Sequence, residues 1–459
     1  MFDRIDSSQL TQLAAQPTAP TAPTAPSWQH RAALMAINGV LFQTLYSACN
    51  VAAARAGVTR NIATAWDAAV PFLPWMLVPY MTSVPLLMMA FMFTPGRQSL
   101  RALSQRCMLA TVLGTLVFAL WPLHISIVRP PSNLAVLQFL SDMLQRLDAP
   151  YNQWPSLHVA YCMLVWAALR ERVSASSSAF SARLGRIALA VWLMLVAVST
   201  VVTHQHYLAD FAGGLLLGAL ALWAVPSQRK LPWVSLHYAV AATAALVLGL
   251  TVLPWPLGVW LGVSLAVCFG AVACAYVRDD TNFLYKRDGS FPWWVYALYG
   301  PYLMGYRMTW WWVRWKERGK PAFVQFADGL WVGRRLTESE AEGLPANCAV
   351  IDLAAELSET RSLSEAGTVG MQKVEQGLRY QSFGLLDLMP PPARVSLAVA
   401  RAIDAELAQG RPVYLHCAMG YRRGREVAAV WQANRTVSLT RAPSPSPAPT
   451  PAPARTPTR

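Results

Sequence analysis

Eight long apolar runs fill most of the first 280 residues and limit what the chain can fold into. They lie at about 32–54, 71–94, 107–128, 155–171, 187–205, 208–225, 236–254 and 256–277. Each run approaches the roughly 20 residues that a helix needs to cross a bilayer, and only 14% of the 459 residues are charged. The pattern therefore predicts a multi-pass α-helical membrane domain, with a six-helix core and two further spans.

Basic residues predict how these spans are oriented. Lys and Arg in short loops are retained on the cytoplasmic side of a membrane. The basic loops 95–106, 170–186 and 226–235 fall on one side if the N-terminus is cytoplasmic, and the loop 55–70 is a mild exception. The net charge of +14 is spread over loops and tails, which favours attraction to anionic lipid over nucleic-acid binding. We expect a protein of the inner (plasma) membrane with no nucleic-acid partner.

Composition divides the chain into further segments. The predicted segments are a disordered linker at 1–28, a catalytic membrane domain at 29–230, two additional spans at 231–287, an aromatic segment at 288–317, a soluble α/β domain at 318–435 and a disordered Pro/Ala/Thr tail at 436–459. Dense Trp and Tyr residues are typical of the headgroup level of a membrane. We therefore interpret 288–316 as an interfacial helix or hairpin rather than a ninth crossing.

Histidines and a carboxylate lie at the ends of consecutive apolar runs. Ser156 and His158 begin one run, and Thr200, His206 and Asp210 lie around the junction of the next two. Ionisable residues at membrane depth are costly and usually functional. Asp210 follows His206 by four residues, so both lie on one helical face, where the carboxylate can fix the tautomer of the imidazole. The pattern predicts a catalytic site on the extracytoplasmic side.

These motifs resemble the second and third motifs of the type 2 phosphatidic acid phosphatase superfamily, and most closely its inositol phosphorylceramide synthase-like branch. The resemblance covers roughly 70–225. It implies that His206 is the nucleophile that takes the phosphoryl group, that Asp210 orients it, and that His158 protonates the leaving alkoxide. Ser156 and Arg129 would contact the phosphate. The resemblance implies no metal or other cofactor.

Two positions depart from the hydrolase pattern of that superfamily. Pro122 stands where a Lys is expected before the Arg129–Pro130 pair, and Thr200, a further candidate for substrate binding, stands where an Arg is expected. Phosphoryl transfer depends on positioning and on charge stabilisation, so these changes remove part of the phosphate clamp. They favour a phosphodiester headgroup or a transfer reaction over simple monoester hydrolysis.

A second motif lies in the soluble domain. Five residues, among them Gly420, separate Cys417 from Arg423, and the motif lies after a β-like segment and before a helix. A loop at a helix N-terminus can surround a phosphate with backbone N–H groups, and an Arg can bind the same phosphate bidentately. The spacing predicts a phosphate-binding loop with a cysteine nucleophile.

The region from about 325 to 435 is similar to cysteine-dependent dual-specificity phosphatases. The resemblance implies a general-acid Asp about thirty residues before the cysteine; Asp387 fits that place, while Asp352 is the alternative and a turn role for Asp387 stays open. Gly424 replaces the hydroxyl residue usual after the Arg, and the chain enters its Pro/Ala/Thr tail early. A truncated or degenerate domain that only senses phosphate is therefore the alternative.

Together these features predict a membrane lipid phosphatase or phosphotransferase that acts through phosphohistidine. It would be fused to a cytoplasmic phosphatase that acts through phosphocysteine, since an even number of spans brings the cysteine domain back to the cytoplasm. The expected substrates are a phospholipid or lipid phosphate, with a phosphoprotein as a further substrate of the cysteine site. The non-enzymatic alternative for the membrane half is a lipid carrier or scaffold.

Overall fold

The computed structural model of the chain describes residues 25–147, 149–174, 179–226, 233–364 and 379–440. These residues form two units. The membrane unit extends to Asp280 and includes Ala297–Tyr302, and the C-terminal unit comprises Thr281–Tyr296 and the described residues from Leu303 onward.

Helices make up the membrane unit, as expected for apolar segments whose backbone groups must be satisfied without water. Their bounds are α1 (Trp28–Arg55), α2 (Ala65–Ala68), α3 (Leu77–Met81), α4 (Ser83–Phe93), α5 (Arg97–Leu120), α6 (Ala135–Leu147), α7 (Leu157–Ser174), α8 (Ala179–Val202), α9 (Leu208–Ala224), α10 (Trp233–Thr251) and α11 (Leu257–Arg278). A buried core of α1, α4, α5, α7, α8, α9 and α10 residues holds them together.

Six helical segments within the described residues are long and apolar enough to cross a membrane. They are Trp28–Arg55, Pro74–Phe93, Arg97–Leu120, Ala179–Val202, Trp233–Thr251 and Leu257–Arg278. Each of the eight predicted spans overlaps a helix, but the helix of the span predicted at 107–128 ends at Leu120. Helix α9 is only 17 residues long, and α7 is not among the six. The six apolar helices characterise a multi-pass membrane protein.

The prediction that residues 95–106 form a loop is wrong. Arg97 begins α5, so the arginines of this stretch lie on a helix. Arg106 is buried, and its Nε donates to the carbonyl oxygen of Val225 at 2.8 Å. The prediction failed because hydropathy marks where apolar residues concentrate, whereas a helix continues through Arg residues whose stems pack on apolar neighbours.

The C-terminal unit contains a mixed sheet. Its strands are β1 (Phe323–Ala327), β2 (Leu330–Arg334), β3 (Ala349–Ala354), β4 (Tyr380–Leu385) and β5 (Val413–Cys417), in the order β1-β2-β5-β3-β4. Only β1 runs antiparallel to its neighbour. The sequence predicts β-like segments at 329–333, 349–353, 378–383 and 412–416. They overlap β2, β3, β4 and β5, while β1 was not predicted.

Helices complete this unit. They are α12 (Trp293–Lys316), whose Ala297–Tyr302 turn is grouped with the membrane unit, α13 (Glu338–Ala341), α14 (Ala393–Leu407) and α15 (Arg423–Thr440). Buried residues of α14 and α15 pack with those of β2, β3 and β5 in one core. Helix α15 extends past the predicted domain end at 435. Most of the linker at 1–28 and of the tail at 436–459 lies outside the described residues.

Candidate active sites

The junction between α8 and α9 positions His206. The chain turns after Val202 with His204 at φ 55°, a left-handed conformation uncommon for residues other than Gly. The backbone N–H of His206 donates to the carbonyl oxygen of Thr200 at 2.9 Å, and that of Gln205 donates to the same oxygen at 3.0 Å. The loop therefore has its own backbone hydrogen bonds, which hold His206 just before α9 begins at Leu208.

The predicted catalytic side chains meet in the membrane unit. The Nδ1 atom of His206 lies 3.4 Å from Oδ2 of Asp210, and the rings of His158 and His206 have centroids 5.9 Å apart. The 3.4 Å separation allows a charge pair but is long for a hydrogen bond, as is common for catalytic groups without substrate. The ring of Tyr80 lies 4.9 Å from that of His158, a neighbour that sequence reasoning missed.

Glycines on α9 allow it to approach the start of α7 closely. A Cβ added at Gly214 would lie 2.5 Å from the carbonyl oxygen of Ser156. One added at Gly218 would lie 2.7 Å from Sδ of Met163 and 3.3 Å from the backbone of Ala160. Small residues permit such close backbone packing between membrane helices. This contact brings the helix that follows His206 against the helix that carries His158.

Asp210 is fixed by the backbone around it. It is completely buried, its Oδ2 accepts from the N–H of Tyr207 at 2.8 Å, and its carbonyl oxygen accepts from the N–H of Ser156 at 3.0 Å. Asp67 adds a second carboxylate at the α9 N-terminus, where Oδ1 accepts from the N–H of Leu208 at 2.8 Å. Acidic groups are favourable at this end of a helix. Asp67 was missed because it lies far from both motifs in sequence.

The predicted phosphate contacts lie in the same region but bind protein groups. Arg129 donates from Nε to the carbonyl oxygen of His204 at 3.1 Å and from Nη2 to Oε1 of Gln205 at 2.8 Å. The hydroxyl of Thr200 donates to the carbonyl oxygen of Ala197 at 2.7 Å. The buried Oγ of Ser156 has no hydrogen-bond partner among the described residues. Ser156 therefore has a buried hydroxyl without a hydrogen-bond partner two residues before His158.

An apolar cavity of about 370 Å³ leads to the two histidines. His158 and His206 line it together with side chains of α1, α4, α5 and α7, among them Phe42 of α1 and Leu87 of α4. This volume lies within the range of about 300–1,000 Å³ that is usual for small-molecule sites. The cavity gives an apolar ligand access to the catalytic groups from within the helices.

Cys417 ends β5, and the loop 418–422 connects it to α15. Gly420 has φ +75°, and a Cβ there would lie 2.9 Å from the backbone nitrogen of Arg334. The N–H of Arg335 donates to the carbonyl oxygens of Cys417 and Ala418 at 3.0 and 3.3 Å. The strand–loop–helix arrangement predicted from the spacing is present, and Gly420 is required by both its φ and its close contact with β2.

Arg423 is buried at the start of α15 and is held by carboxylates and carbonyls. Its guanidinium binds both oxygens of Glu356, and Nη1 donates to the carbonyl oxygen of Leu385 at 2.6 Å. Burial by itself lowers the pKa of Arg423, but the Glu356 carboxylate raises it well above its usual value. Oδ1 of Asp387 lies 3.5 Å from Nη2 of Arg423. The structure thus brings Asp387 and Arg423 together.

His416 precedes the cysteine and lies in a buried ionic network. Its Nε2 is 2.7 Å from Oε2 of Glu359 and 3.9 Å from Oδ1 of Asp352. Burial alone would lower the pKa of His416, but Glu359 and Asp352 raise it.

Asp352, Glu359 and His416 are also residue types that bind metals, with candidate ligand atoms within 4.8 Å of one another. However, Nζ of Lys286 contacts the Asp352 carboxylate. That ammonium group already supplies the positive charge that a metal ion would bring. The Asp352 carboxylate is therefore already paired with Lys286. Asp387 instead lies beside Arg423, so Asp387 is the better candidate for the general acid.

Comparison with known proteins assigns the membrane segment. A family model described as PAP2 superfamily matches residues 78–224, which span His158, His206 and Asp210. This part of the chain is therefore similar to the PAP2 superfamily, a similarity that suggests a membrane lipid phosphatase or phosphotransferase. Searches of curated proteins and of solved structures gave no significant match.

Proposed function

We propose that the membrane unit transfers a phosphoryl or phosphoalcohol group from a lipid through a phosphohistidine at His206. The observation that carries the proposal is the convergence of His158 and His206 in the lining of an apolar cavity, with Asp210 beside His206. A carrier or scaffold does not require two adjacent imidazoles with a buried carboxylate beside one of them. Substitution of Pro122 and Thr200 for the expected cations favours transfer to an alcohol over monoester hydrolysis.

The geometry supports a two-step reaction. Asp210 holds a proton on Nδ1 of His206, so that Nε2 keeps its lone pair for attack on phosphorus. The bond between phosphorus and the leaving oxygen breaks, and His158 donates a proton to the departing alkoxide. A second hydroxyl, from an alcohol or from water, then gives its proton to His158 and attacks the phosphohistidine. This step transfers the group and frees His206.

The cavity supports a lipid as the substrate. Its lining is apolar apart from a few polar groups, and both histidines are among the lining residues. A hydrocarbon chain in this space would place its headgroup at the catalytic groups. Apolar burial at roughly 25 cal/mol per Å² would then supply binding free energy remote from the reacting atoms.

Every protein in this test carries Cys417→Ser, which removes the phosphate chemistry proposed for the C-terminal unit, and is purified into lipid vesicles that contain a radiolabelled lipid phosphate. His206→Ala should abolish turnover, and His158→Ala should slow it about 10²–10⁴-fold because the leaving group loses its acid. His237→Ala is the matched control, because this exposed histidine of α10 packs on Trp233 instead of the catalytic pair. Turnover by the His206→Ala protein that equals the wild type would overturn the assignment of the nucleophile.

We further propose that the C-terminal unit hydrolyses a phosphomonoester through Cys417. The supporting observation is a loop between β5 and α15 with Gly420 in a left-handed conformation, followed by Arg423 with Asp387 beside it. The Cys417 thiolate would attack phosphorus while Asp387 protonates the leaving alcohol. Water would then break the S–P bond and release phosphate, with its proton returned to Asp387.

A phosphate sensor is the alternative for this unit, and Gly424 favours it because no hydroxyl follows Arg423 to assist thiolate departure. Full-length protein carrying His206→Ala separates the two. Hydrolysis of 4-nitrophenyl phosphate that disappears in a Cys417→Ser/His206→Ala variant supports the enzyme. Phosphate binding without turnover supports the sensor and contradicts the hydrolase.

A further inference from the structure

Helix α12 has two faces of different character within the C-terminal unit. Tyr306 is half-buried, and Trp310 and Val313 are buried, at a spacing that places all three on one side. The exposed side carries Met304, Met308, Trp311 and Trp315, each 59–64% exposed, again at helical spacing. We call these four residues the exposed α12 stripe.

The buried face reaches the cysteine site directly. Tyr306 donates its hydroxyl to Oδ2 of Asp387 at 3.3 Å. Trp310 packs with Ala354, Leu357 and Ala418 in one apolar cluster, to which Tyr306 and Met419 also belong. Ala418 and Met419 are the first two residues after Cys417. Helix α12 therefore forms part of the wall around the phosphate-binding loop and contacts its candidate acid.

The exposed α12 stripe has the composition of a membrane-surface helix. Between 303 and 320 the chain carries Arg307, Arg314, Lys316, Arg318 and Lys320 against the single acid Glu317. Trp311, Trp312 and Trp315 line a surface depression together with Arg314 and Arg318. Tryptophans with neighbouring basic residues are typical of helices that lie at anionic lipid headgroups.

We propose that the exposed α12 stripe rests on the lipid surface and that the Cys417 site acts on the phosphomonoester of a membrane lipid headgroup. The proposal rests on the hydrolase activity proposed for Cys417. One side of α12 would bind the bilayer while the other contacts Asp387 and the loop after Cys417, so the cysteine site would lie about one helix diameter, roughly 10–12 Å, from the lipid headgroups. A lipid phosphate can then enter without leaving the membrane, whereas a phosphoprotein must compete with lipid for the same surface.

The test uses full-length protein with His206→Ala, which removes the other phosphate chemistry. It is reconstituted in phosphatidylcholine–phosphatidylglycerol vesicles containing phosphatidic acid or a phosphatidylinositol monophosphate. 4-Nitrophenyl phosphate and a phosphotyrosine peptide are the soluble substrates. We expect Cys417-dependent release of phosphate from at least one lipid, with kcat/KM above that for the peptide. Hydrolysis of the peptide without hydrolysis of either lipid overturns the proposal and assigns the site to phosphoproteins.

A Trp311→Ser/Trp315→Ser variant tests the surface itself. Loss of two interfacial tryptophans should lower the ratio of lipid to 4-nitrophenyl phosphate turnover about tenfold or more. Leu397→Ser, which changes a 43% exposed apolar residue on α14, is the control and should leave the ratio as it is. Met304→Ser/Met308→Ser should lower the same ratio by a smaller factor. This variant replaces the tryptophan variant in the test if the latter does not fold.

The outcomes separate the two levels of the proposal. An equal ratio of lipid to 4-nitrophenyl phosphate turnover in the stripe variants and in the parent would contradict the proposal that the stripe rests on lipid. It would not contradict the hydrolase activity proposed for Cys417. Absence of turnover on every substrate, including 4-nitrophenyl phosphate, would instead reject the hydrolase proposed for Cys417 and the lipid substrate with it.

Discussion

The Nζ atom of Lys286 contacts the Asp352 carboxylate and is surrounded by backbone oxygens of the same unit. It donates to the carbonyl oxygens of Ala354, at 2.9 Å, and Leu357. Burial by itself would raise the pKa of Asp352, but Lys286 and His416 lower it. The segment between α11 and α12 is therefore part of the C-terminal unit.

Lys286→Met should destabilise the C-terminal unit by about 3–5 kcal/mol, because it leaves the buried Asp352 charge without its partner. The measurement is hydrogen exchange of β3 and β5 amides in the full-length protein. Lys320→Met is the control, since that side chain is 71% exposed. Equal exchange in the two variants would show that the pair contributes little.

Gly420→Ala should weaken the cysteine site. The added Cβ would lie 2.9 Å from the Arg334 nitrogen at a φ of +75°, and the combined strain costs about 1–3 kcal/mol. We expect 4-nitrophenyl phosphate turnover by the His206→Ala protein to fall about tenfold or more. Gly410→Ala is a matched control, because Gly410 has φ +71° with nothing within 4 Å of an added Cβ. A comparable loss in both variants would assign the effect to backbone conformation instead of close contact.

The sequence was informative where chemistry follows local spacing. The spacing of His206 and Asp210 predicted that they lie close together, although the predicted shared helical face was wrong because His206 lies in the loop before α9. The spacing of Cys417 and Arg423 predicted a loop between a strand and a helix. Both inferences depend on residues that one short segment holds together. They needed no knowledge of how distant elements pack.

Partners distant in sequence could not be predicted in the same way. Asp67 meets Leu208 across 141 positions, and Glu356 meets Arg423 across 67. Neither carboxylate belongs to a recognisable motif, and each pairing depends on helix or strand packing. The sequence predicted that the soluble domain begins at 318, which leaves Lys286 outside it. The composition around Lys286 does not indicate that this lysine pairs with a buried residue of the sheet.

Asp67→Asn should slow the membrane site without removing its catalytic groups. The Asp67 carboxylate accepts from Leu208 N–H at the start of α9 and from Thr64. Burial tends to raise the pKa of Asp67, but these hydrogen bonds lower it. Replacing one acceptor oxygen by NH₂ should shift the α9 N-terminus and His206, and reduce kcat for the lipid phosphate about tenfold. Asp142→Asn, at an exposed position on α6, is the control. An equal kcat in the two variants would show that Asp67 does not help to position His206.

Glu340 should make the stability of the C-terminal unit pH-dependent. Its carboxylate receives two hydrogen bonds from Arg334, at 2.8 and 2.9 Å, and one from the Thr337 N–H at 3.0 Å. Burial opposes ionisation, but these contacts lower the pKa of Glu340 from 4.5 to about 2. A lowered pKa stabilises the fold fully above pH 4.5, and this contribution is lost as the pH falls towards 2.

Glu340→Gln should therefore lower the free energy of unfolding by about 1 kcal/mol at pH 7, a modest value because solvent screens the partly exposed pair. The difference from wild type should shrink steadily between pH 4.5 and 2, as the wild-type carboxylate takes up its proton. The difference in the free energy of unfolding is measured by denaturant unfolding, with hydrogen exchange of β2 amides reporting on the C-terminal unit. Glu342→Gln, at a neighbouring exposed position, should change little over the same range. A Glu340→Gln difference that stays constant with pH would mean that shape and hydrogen bonding, and not ionisation, carry the contribution of this residue.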